Sequence, residues 1–440
     1  MSSHWISIYA LIGMFVLATV LPINMGVIAF VGAFLVGTLV AGMNAKAIMG
    51  GFPADLFLTL VGITYLFALA QNNGTIDWLV RLAVRAVRGR IAAIPWIMFL
   101  IAALLTAVGA VSPAAVAIIA PIALGFAAKY GINPLMMGLL VVHGAQGGGF
   151  SPISIYGGIT NKIVAKAGLP LSELTTMLAS LGVNLAVALL LFFLFGGAKL
   201  LRQRASDSGA AAVPAAGAAH GQRGALVLGG ATADGPLLDT PNATSSVYQI
   251  LTVIGLLALA VLTLFFKLDI GFVSITIALL LTAMAPNLQK GALAQVSWPE
   301  IMLIVGVSTY VGVMDKMGTI DFVGHSVAGL TSPLMAALLL CFVGAVVSAF
   351  ASSTAVLGSL IPLAVPFLQG DSGVSAIGFI AAMAVSSTIV DVSPFSTNGA
   401  LVLANAKGVD RNAFFRQLMV YGAIVTVVAP VVVWLLFVVL

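Results

Sequence analysis

Ser151-Pro152-Ile153-Ser154-Ile155-Tyr156-Gly157 returns in the second half of the chain as Ser393-Pro394-Phe395-Ser396-Thr397-Asn398-Gly399. Both copies are polar islands broken by Pro and Gly, and both interrupt long apolar segments. Those segments fix the solvent. Of the 440 residues 61% are hydrophobic and 7% charged, with a mean hydropathy of +1.18, where a soluble domain carries about 25% charged residues. The chain is therefore an integral membrane protein. Backbone in hydrocarbon must satisfy its own hydrogen bonds, so a helix broken at membrane depth survives only where protein buries it or a cavity adjoins it.

Apolar runs near the ~20 residues that cross a bilayer occur at roughly 5–22, 25–43, 54–71, 133–150, 174–197, 248–267, 269–287, 299–315, 374–390 and 415–440. The strands of a membrane barrel would alternate instead, so the fold class is all-α. The first run has no basic leader and no small-residue cleavage site, and it reads as a retained helix. The single cysteine, Cys341, lies in an apolar run. It reads as a small buried hydrophobe and excludes a disulfide or a cysteine metal cluster. The net charge of +5 reads as membrane topology rather than as a nucleic-acid surface.

Self-comparison extends the repeat. Val61-Gly62-Ile63 matches Val305-Gly306-Val307 and Gly74-Thr75-Ile76-Asp77 matches Gly318-Thr319-Ile320-Asp321, both at an offset of 244, while Pro121 matches Pro362 at 241 and the broken islands match at 242. A nearly constant offset over about a hundred residues marks an internal repeat. Each half holds five spans and one apolar stretch, 92–128 or 333–368, interrupted by Val111-Ser112-Pro113 or by Ser352-Ser353-Thr354. Such a stretch is either two crossings or one re-entrant hairpin. Either way an odd number of crossings separates equivalent positions, so the halves are inverted, as in secondary transporters.

The expected organisation is scaffold helices over 1–71, an amphipathic arm over 72–91 and a bundle of hairpin, broken helix and last helix over 92–197. After an Ala/Gly/Ser/Pro-rich linker over 198–247, scaffold helices follow over 248–315, a second arm over 316–332 and a second bundle over 333–440. Arg81, Arg85 and Arg88 opposite Ile76, Leu79, Val80 and Val84 give the first arm a basic face, suited to the membrane interface. Threading the spans puts Arg81, Arg85, Arg88, Arg90, Lys129, Lys199, Arg202, Arg204, Arg223, Lys290, Lys407, Arg411 and Arg416 on one side. Lys46, Lys162, Lys166, Lys267 and Lys316 fall on the other. The richer side is cytoplasmic by the positive-inside rule. The expectation is a bacterial-type inner-membrane protein with a cytoplasmic linker and both termini outside.

Polar residues within the membrane are costly and mark function. They cluster at the hairpin tips (Ser112; Ser352, Ser353 and Thr354) and at the two breaks: Ser151, Ser154, Tyr156, Thr160 and Asn161 in one, Asp391, Ser393, Ser396, Thr397 and Asn398 in the other. A serine or threonine in a membrane helix ordinarily bonds back to the preceding turn. Four clusters at matched positions argue instead for ligands. Hydroxyl, amide and carbonyl oxygens suit an alkali cation, and half-helix N-termini suit a carboxylate. Asp391 reads either as a cation or proton group or as a structural carboxylate. His143 reads as a proton relay or as a satisfied core histidine. Gly147-Gly148-Gly149 lacks the Lys-Ser/Thr of a phosphate loop. No HExxH, nucleophile elbow or paired buried carboxylates occur, and nothing argues for an enzyme or an organic cofactor.

These motifs resemble the ion transporter superfamily, and within it the divalent anion/sodium symporter type. There each hairpin carries a Ser-Asn-Thr tip with Pro eight residues after the Thr, and each broken helix a Thr-Pro or Ser-Pro turn. Ser352-Ser353-Thr354 with Pro362 keeps that spacing with Ser in place of Asn, and Val111-Ser112-Pro113 with Pro121 keeps the spacing and the central polar residue. The GGGFSPISIYGGITN segment is similar to the malonate/C4-dicarboxylate carriers. The resemblance implies a homodimer whose transport bundle moves as an elevator against a scaffold, with sodium as coupling ion. It implies sodium bound by Ser112 with Ser151, Thr160 and Asn161, and by Ser352, Ser353 and Thr354 with Asp391 and Ser393. The dicarboxylate would lie among Ser112, Ser154, Tyr156, Ser353, Thr354, Ser396, Thr397 and Asn398. Two other readings stay open: a proton-coupled organic anion carrier, and the membrane subunit of a transporter fed by a separate binding protein.

Overall fold

A computed structural model of the chain describes residues 2–21, 23–76, 78–79, 82, 90–201, 246–330, 332–350, 353–369, 373–406 and 408–440. The elements of the described residues are all helices, and the same order of helices appears twice. The first series is α1 (Ser3–Val20), α2 (Met25–Leu35), α3 (Ala45–Met49), α4 (Ala54–Asn72), α5 (Ala93–Ala107), α6 (Ser112–Tyr130), α7 (Pro134–Gly148), α8 (Ile155–Lys166) and α9 (Glu173–Leu194). After the four-residue α10 (Gly197–Leu200), the second is α11 (Ser246–Leu264), α12 (Ile270–Met284), α13 (Gln289–Ala294), α14 (Trp298–Lys316), α15 (Thr319–Leu330), α16 (Pro333–Phe350), α17 (Ser353–Gln369), α18 (Ala376–Ile389), α19 (Thr397–Asn405) and α20 (Arg411–Trp434). Every element from α1 to α9 has its counterpart in order from α11 to α20, with α15 in the place of the first arm. Arg81, Arg85 and Arg88 of that arm, most of the linker, and Ser352 lie outside the described residues.

Five described helices are by themselves long and apolar enough to cross a membrane. The expected spans 133–150 and 374–390 are not complete crossings. α7 has 15 residues and α18 has 14, so each crosses only together with its half-helix, α8 or α19.

Packing divides the helices into two groups. In one, α4 lies along α12, α14 along α2, and α1 and α11 flank them. The Val-Gly-Ile/Val repeat found in the sequence makes this crossing possible. A Cβ at Gly306 would fall inside the backbone of Gly26, and one at Gly62 would meet the Gly271 carbonyl at 2.8 Å. Each repeat thus buries its third long helix against the second helix of the other, backbone to backbone, as small-residue contacts allow in lipid. Gly306→Leu should overpack this contact at a cost of about 1–3 kcal/mol. It should melt earlier in detergent than the wild type, whereas Gly182→Leu on α9, with nothing within 4 Å of its Cβ, should not. Equal melting of the two variants would contradict the packing.

The second group holds α5–α9 and α16–α20, with α7 between α5, α6 and α9, and α18 between α9, α16 and α20. Contacts among loop ends define two faces. On the terminal face His4 Nδ1 lies 3.3 Å from Thr319 Oγ1, Gln369 Nε2 donates to the Ala167 carbonyl at 2.8 Å, and Trp434 Nε1 to that of Leu334 at 2.8 Å. On the linker face Asn73 Nδ2 donates to Thr252 Oγ1 at 2.7 Å and Asn24 Nδ2 to the Pro299 carbonyl at 2.8 Å. Hairpin α5–α6 opens to the linker face and hairpin α16–α17 to the terminal face. Their tips meet the two breaks, so both are re-entrant, which decides the alternative left open by the sequence.

Candidate functional site

Each residue of the repeated Ser-Pro-x-Ser-x-x-Gly island has a task at its break. The first serine ties the break to the tip of its own hairpin: Ser151 Oγ donates to the Ala107 carbonyl at 2.6 Å, and Ser393 Oγ to the Ala349 carbonyl at 2.9 Å. The proline lacks an N–H and stops the incoming helix. The second serine caps the outgoing one. Ser154 Oγ donates to the Ser151 carbonyl at 2.6 Å and accepts from the Gly157 N–H at 3.2 Å; Ser396 Oγ repeats both bonds with Ser393 and Gly399 at 2.8 and 3.4 Å. The glycine lets the cap close, because a Cβ at Gly157 or Gly399 would overlap the carbonyl of Ser151 or Ser393.

Beyond this shared frame the breaks differ, and the difference lies in two paired positions. In the first, Gly149 makes room for Tyr156, whose ring would stand 2.8 Å from a Cβ at Gly149 and lies against Phe150. In the second, Asp391 takes the place of the glycine and Asn398 that of the tyrosine. Asp391 Oδ1 accepts from the Asn398 N–H at 3.1 Å, and its Oδ2 accepts from Asn398 Nδ2 at 2.9 Å. The carboxyl group caps α19 and fixes the asparagine side chain.

That side chain crosses to the other repeat. Asn398 Nδ2 also donates to Ser112 Oγ at 2.8 Å, at the tip of hairpin α5–α6. Tyr156 makes the reciprocal crossing, its hydroxyl interacting with Thr354 at the tip of α16–α17 as well as with Ser112. The sequence reading had set each tip against the break of its own repeat. The serine-to-carbonyl ties keep that pairing, but the side chains at the starts of α8 and α19 face the opposite hairpin, so the tips and breaks form one central cluster. Gln146 on α7, which the sequence reading passed over, joins it through a 3.4 Å bond from Nε2 to the Asp391 carbonyl. Its signal was available as the one side-chain amide of a helix whose only other polar side chain is His143.

The other candidates separate. Ser353 bonds Ser348 at 2.9 Å within its own hairpin. Thr160 and Asn161 lie buried one to two turns into α8, on the helix that packs against α17, and Thr397 is exposed on α19. His143 is fully buried, with Nδ1 2.8 Å from Asn184 Oδ1 and Nε2 2.6 Å from the Tyr421 hydroxyl. Both ring nitrogens are engaged in tying α7 to α9 and α20.

Four helices, α6, α8, α17 and α19, begin at this cluster, and four, α5, α7, α16 and α18, end there. The first set brings N–H groups and the positive ends of helix dipoles, the second brings carbonyls and negative ends, each equivalent to about half a unit charge. α6 has no side-chain cap on its N-terminus. Among the described residues, buried Asn398 Oδ1, Gln146 Oε1, Thr160 Oγ1 and Asn161 Oδ1 have no hydrogen-bond donor. Buried acceptors of this kind are rarely left without partners. The cluster thus sets an uncapped helix N-terminus beside the donor-less oxygens of Asn398 and Gln146, with those of Thr160 and Asn161 further along α8.

A membrane protein with two inverted repeats, paired hairpins and paired breaks around such a cluster is a secondary transporter and not an enzyme. Residues 1–149 match the family model described as dicarboxylate carrier protein MatC N-terminus, and residues 261–440 match the citrate transporter model. The fold is similar to that of the YdaH transporter of Alcanivorax borkumensis, with a TM-score of 0.59 over 88% of this chain and 86% of that one at 14% identity. No curated protein matches the sequence. The two ends of the chain are thus similar to two carboxylate-carrier families, and its fold is that of a transporter.

Proposed function

We propose that the chain is a sodium-coupled symporter that takes up a small dicarboxylate, malonate or a C4 acid, by an elevator movement of the hairpin group. The observation that carries this reading is the convergence of helix N-termini and orphan buried acceptors on one cluster. Asp391 already occupies the first-turn N–H of Asn398. The uncapped α6, with Ser112, Tyr156, Ser353 and Thr354 around it, is then the natural seat for carboxylates. Sodium ions suit the acceptor side, where Asn398 Oδ1, Gln146 Oε1 and the helix-end carbonyls offer hard oxygen ligands. Thr160 and Asn161 offer further oxygens within α8. The descriptions of the two matching family models, dicarboxylate carrier and citrate transporter, support a small polycarboxylate as cargo.

Coupling follows if sodium orders the tips that also bind the anion, so that each ligand raises the affinity of the other. The linker face, which carries most of the lysines and arginines, is the cytoplasmic one on this reading, and a homodimer joined through the scaffold group is the expected assembly. Purified protein in liposomes should accumulate labelled malonate or succinate down an imposed sodium gradient. Replacing sodium by choline at fixed pH should abolish accumulation. Undiminished uptake in choline would overturn sodium coupling, and no uptake without an added partner would favour the binding-protein-fed arrangement.

A further inference from the structure

The two repeats are equivalent in sequence order but not in how they meet the scaffold group. On the terminal-face side both hairpin-group elements dock: α8 packs against α4, and α17 packs against α14 and α15, with Ala355 buried among Val307, Tyr310 and Val311. On the linker-face side the counterparts show no such docking on α4 or α14 among the described residues. Among the described residues α6 has no comparable contact with α4, and α19 none comparable with α14. Exposure follows the same division at an offset of 242. Ile153, Ile155 and Gly158 are buried, while Phe395, Thr397 and Ala400 are exposed. Among the described residues, the hairpin group is docked on the scaffold at the terminal face and not at the linker face.

One side chain fastens the closed side. Lys162, near the end of α8, donates from Nζ to Thr59 Oγ1 at 2.7 Å and to the Asp55 carbonyl at 3.2 Å, both on α4. The same ammonium lies 3.6 Å from Asp55 Oδ2 and 3.7 Å from Asp269 Oδ2, the residue that caps α12. Lys162 thus bridges the moving half-helix to one scaffold helix from each repeat, where α4 and α12 begin side by side. Its counterpart at the same offset is Ala404, and the neighbouring pair Thr160 and Asn161 is matched by Val402 and Leu403. Among the described residues, the equivalent position on the open side thus carries no group that could donate such bonds.

We propose that Lys162, with Asp55, Thr59 and Asp269, is a one-sided latch that holds the hairpin group shut on the terminal face and biases the carrier toward the state open to the linker face. Lys162 is a positioning residue. It touches no substrate and acts by setting which face the central cluster meets. Release requires breaking contacts to both repeats of the scaffold at once. In the opposite state α19 would dock against α14 with Ala404 at the position of Lys162, so the two closed states are held unequally. The proposal rests on the carrier reading only for its meaning in transport; the latch itself is a statement about conformation.

Two cysteine reporters at equivalent positions read the bias directly in full-length protein, in a Cys341→Ala background. Gly158→Cys, where a side chain meets nothing within 4 Å, is covered in the latched state, and Ala400→Cys is exposed in it. In Lys162→Ala, maleimide should label the Gly158→Cys reporter at least about threefold faster and the Ala400→Cys reporter correspondingly slower, with Lys162→Arg restoring the original ratio. Exposed ion pairs are individually weak, so a shift of severalfold rather than of orders of magnitude is expected. Unchanged labelling at both reporters, or a parallel rise at both from general loosening, would overturn the latch. If Lys162→Ala does not fold, the Asp55→Asn/Asp269→Asn pair applies the same test with the same criteria. A labelling shift in a protein that moves no carboxylate would leave the latch standing and overturn the carrier reading instead.

Discussion

Replacing Asp391 by alanine is expected to lower sodium-driven uptake by two orders of magnitude or more while leaving a folded, monodisperse protein. The carboxyl group accepts two hydrogen bonds from Asn398, one from the backbone N–H that starts α19 and one from the side chain. Hydrogen bonds to a carboxylate contribute about 1.5–3 kcal/mol each, and each 1.4 kcal/mol is tenfold in an equilibrium. Without Asp391, the Asn398 N–H loses its acceptor while Ser396 still caps α19, and Asn398 loses the constraint that aims its Nδ2 at Ser112. The contact between the second break and the first hairpin tip is then no longer held. Asp391→Asn keeps one acceptor for the backbone N–H and should retain measurable uptake, between the alanine variant and wild type. Equal loss in both variants, with the remaining uptake indifferent to pH, would favour the reading of Asp391 as the coupling group. Wild-type uptake in Asp391→Ala would contradict its structural role.

The second large effect is expected from a single methyl group. Gly157→Ala places a Cβ into the carbonyl of Ser151, and Gly399→Ala into that of Ser393. In both cases the obstacle is backbone, which cannot swing aside, and it belongs to the cap that turns the chain. The break must open, carrying the first-turn N–H groups away from the cluster, and uptake should fall at least tenfold in either variant. Gly158→Ala is the matched control, since nothing lies within 4 Å of its Cβ; it should transport within about twofold of wild type. Comparable activity in Gly157→Ala and Gly158→Ala would show that the break tolerates opening and that the site is not built on it.

The repeated island was readable from the sequence as a broken helix because its residue types permit little else in an apolar segment. Its serines, expected to be ligands, act in the structure as a tie and a cap, local bonds that sequence spacing alone does not distinguish from ligation. The pairs Tyr156/Asn398 and Gly149/Asp391 were visible as separate failures of symmetry. That they form one exchange, a ring seated on a glycine traded for a carboxyl group holding an amide, depends on positions seven residues apart folding back across a break. Which hairpin each break faces was not legible, since a repeat offset gives equivalence between halves and says nothing about which half lies opposite which. Lys162 was assigned to a face from charge counting; its four oxygen partners come from α4 and α12, whose crossing between repeats no spacing rule specifies. The arm and linker residues follow composition alone and lie outside the described structure.

The central claim is that one cluster binds both the anion and its coupling cation. The most direct test is the affinity of purified protein for a dicarboxylate, measured by calorimetry or thermal shift at low and high sodium with choline balancing ionic strength, in wild type and in Asn398→Ala. The account predicts that sodium tightens dicarboxylate binding in the wild type by about fivefold or more, the scale of a typical coupling between sites. It also predicts that Asn398→Ala, which removes the bond to Ser112 and the orphan Oδ1 together, loses that dependence. Dicarboxylate affinity independent of sodium in the wild type, or sodium dependence undiminished in Asn398→Ala, would contradict it.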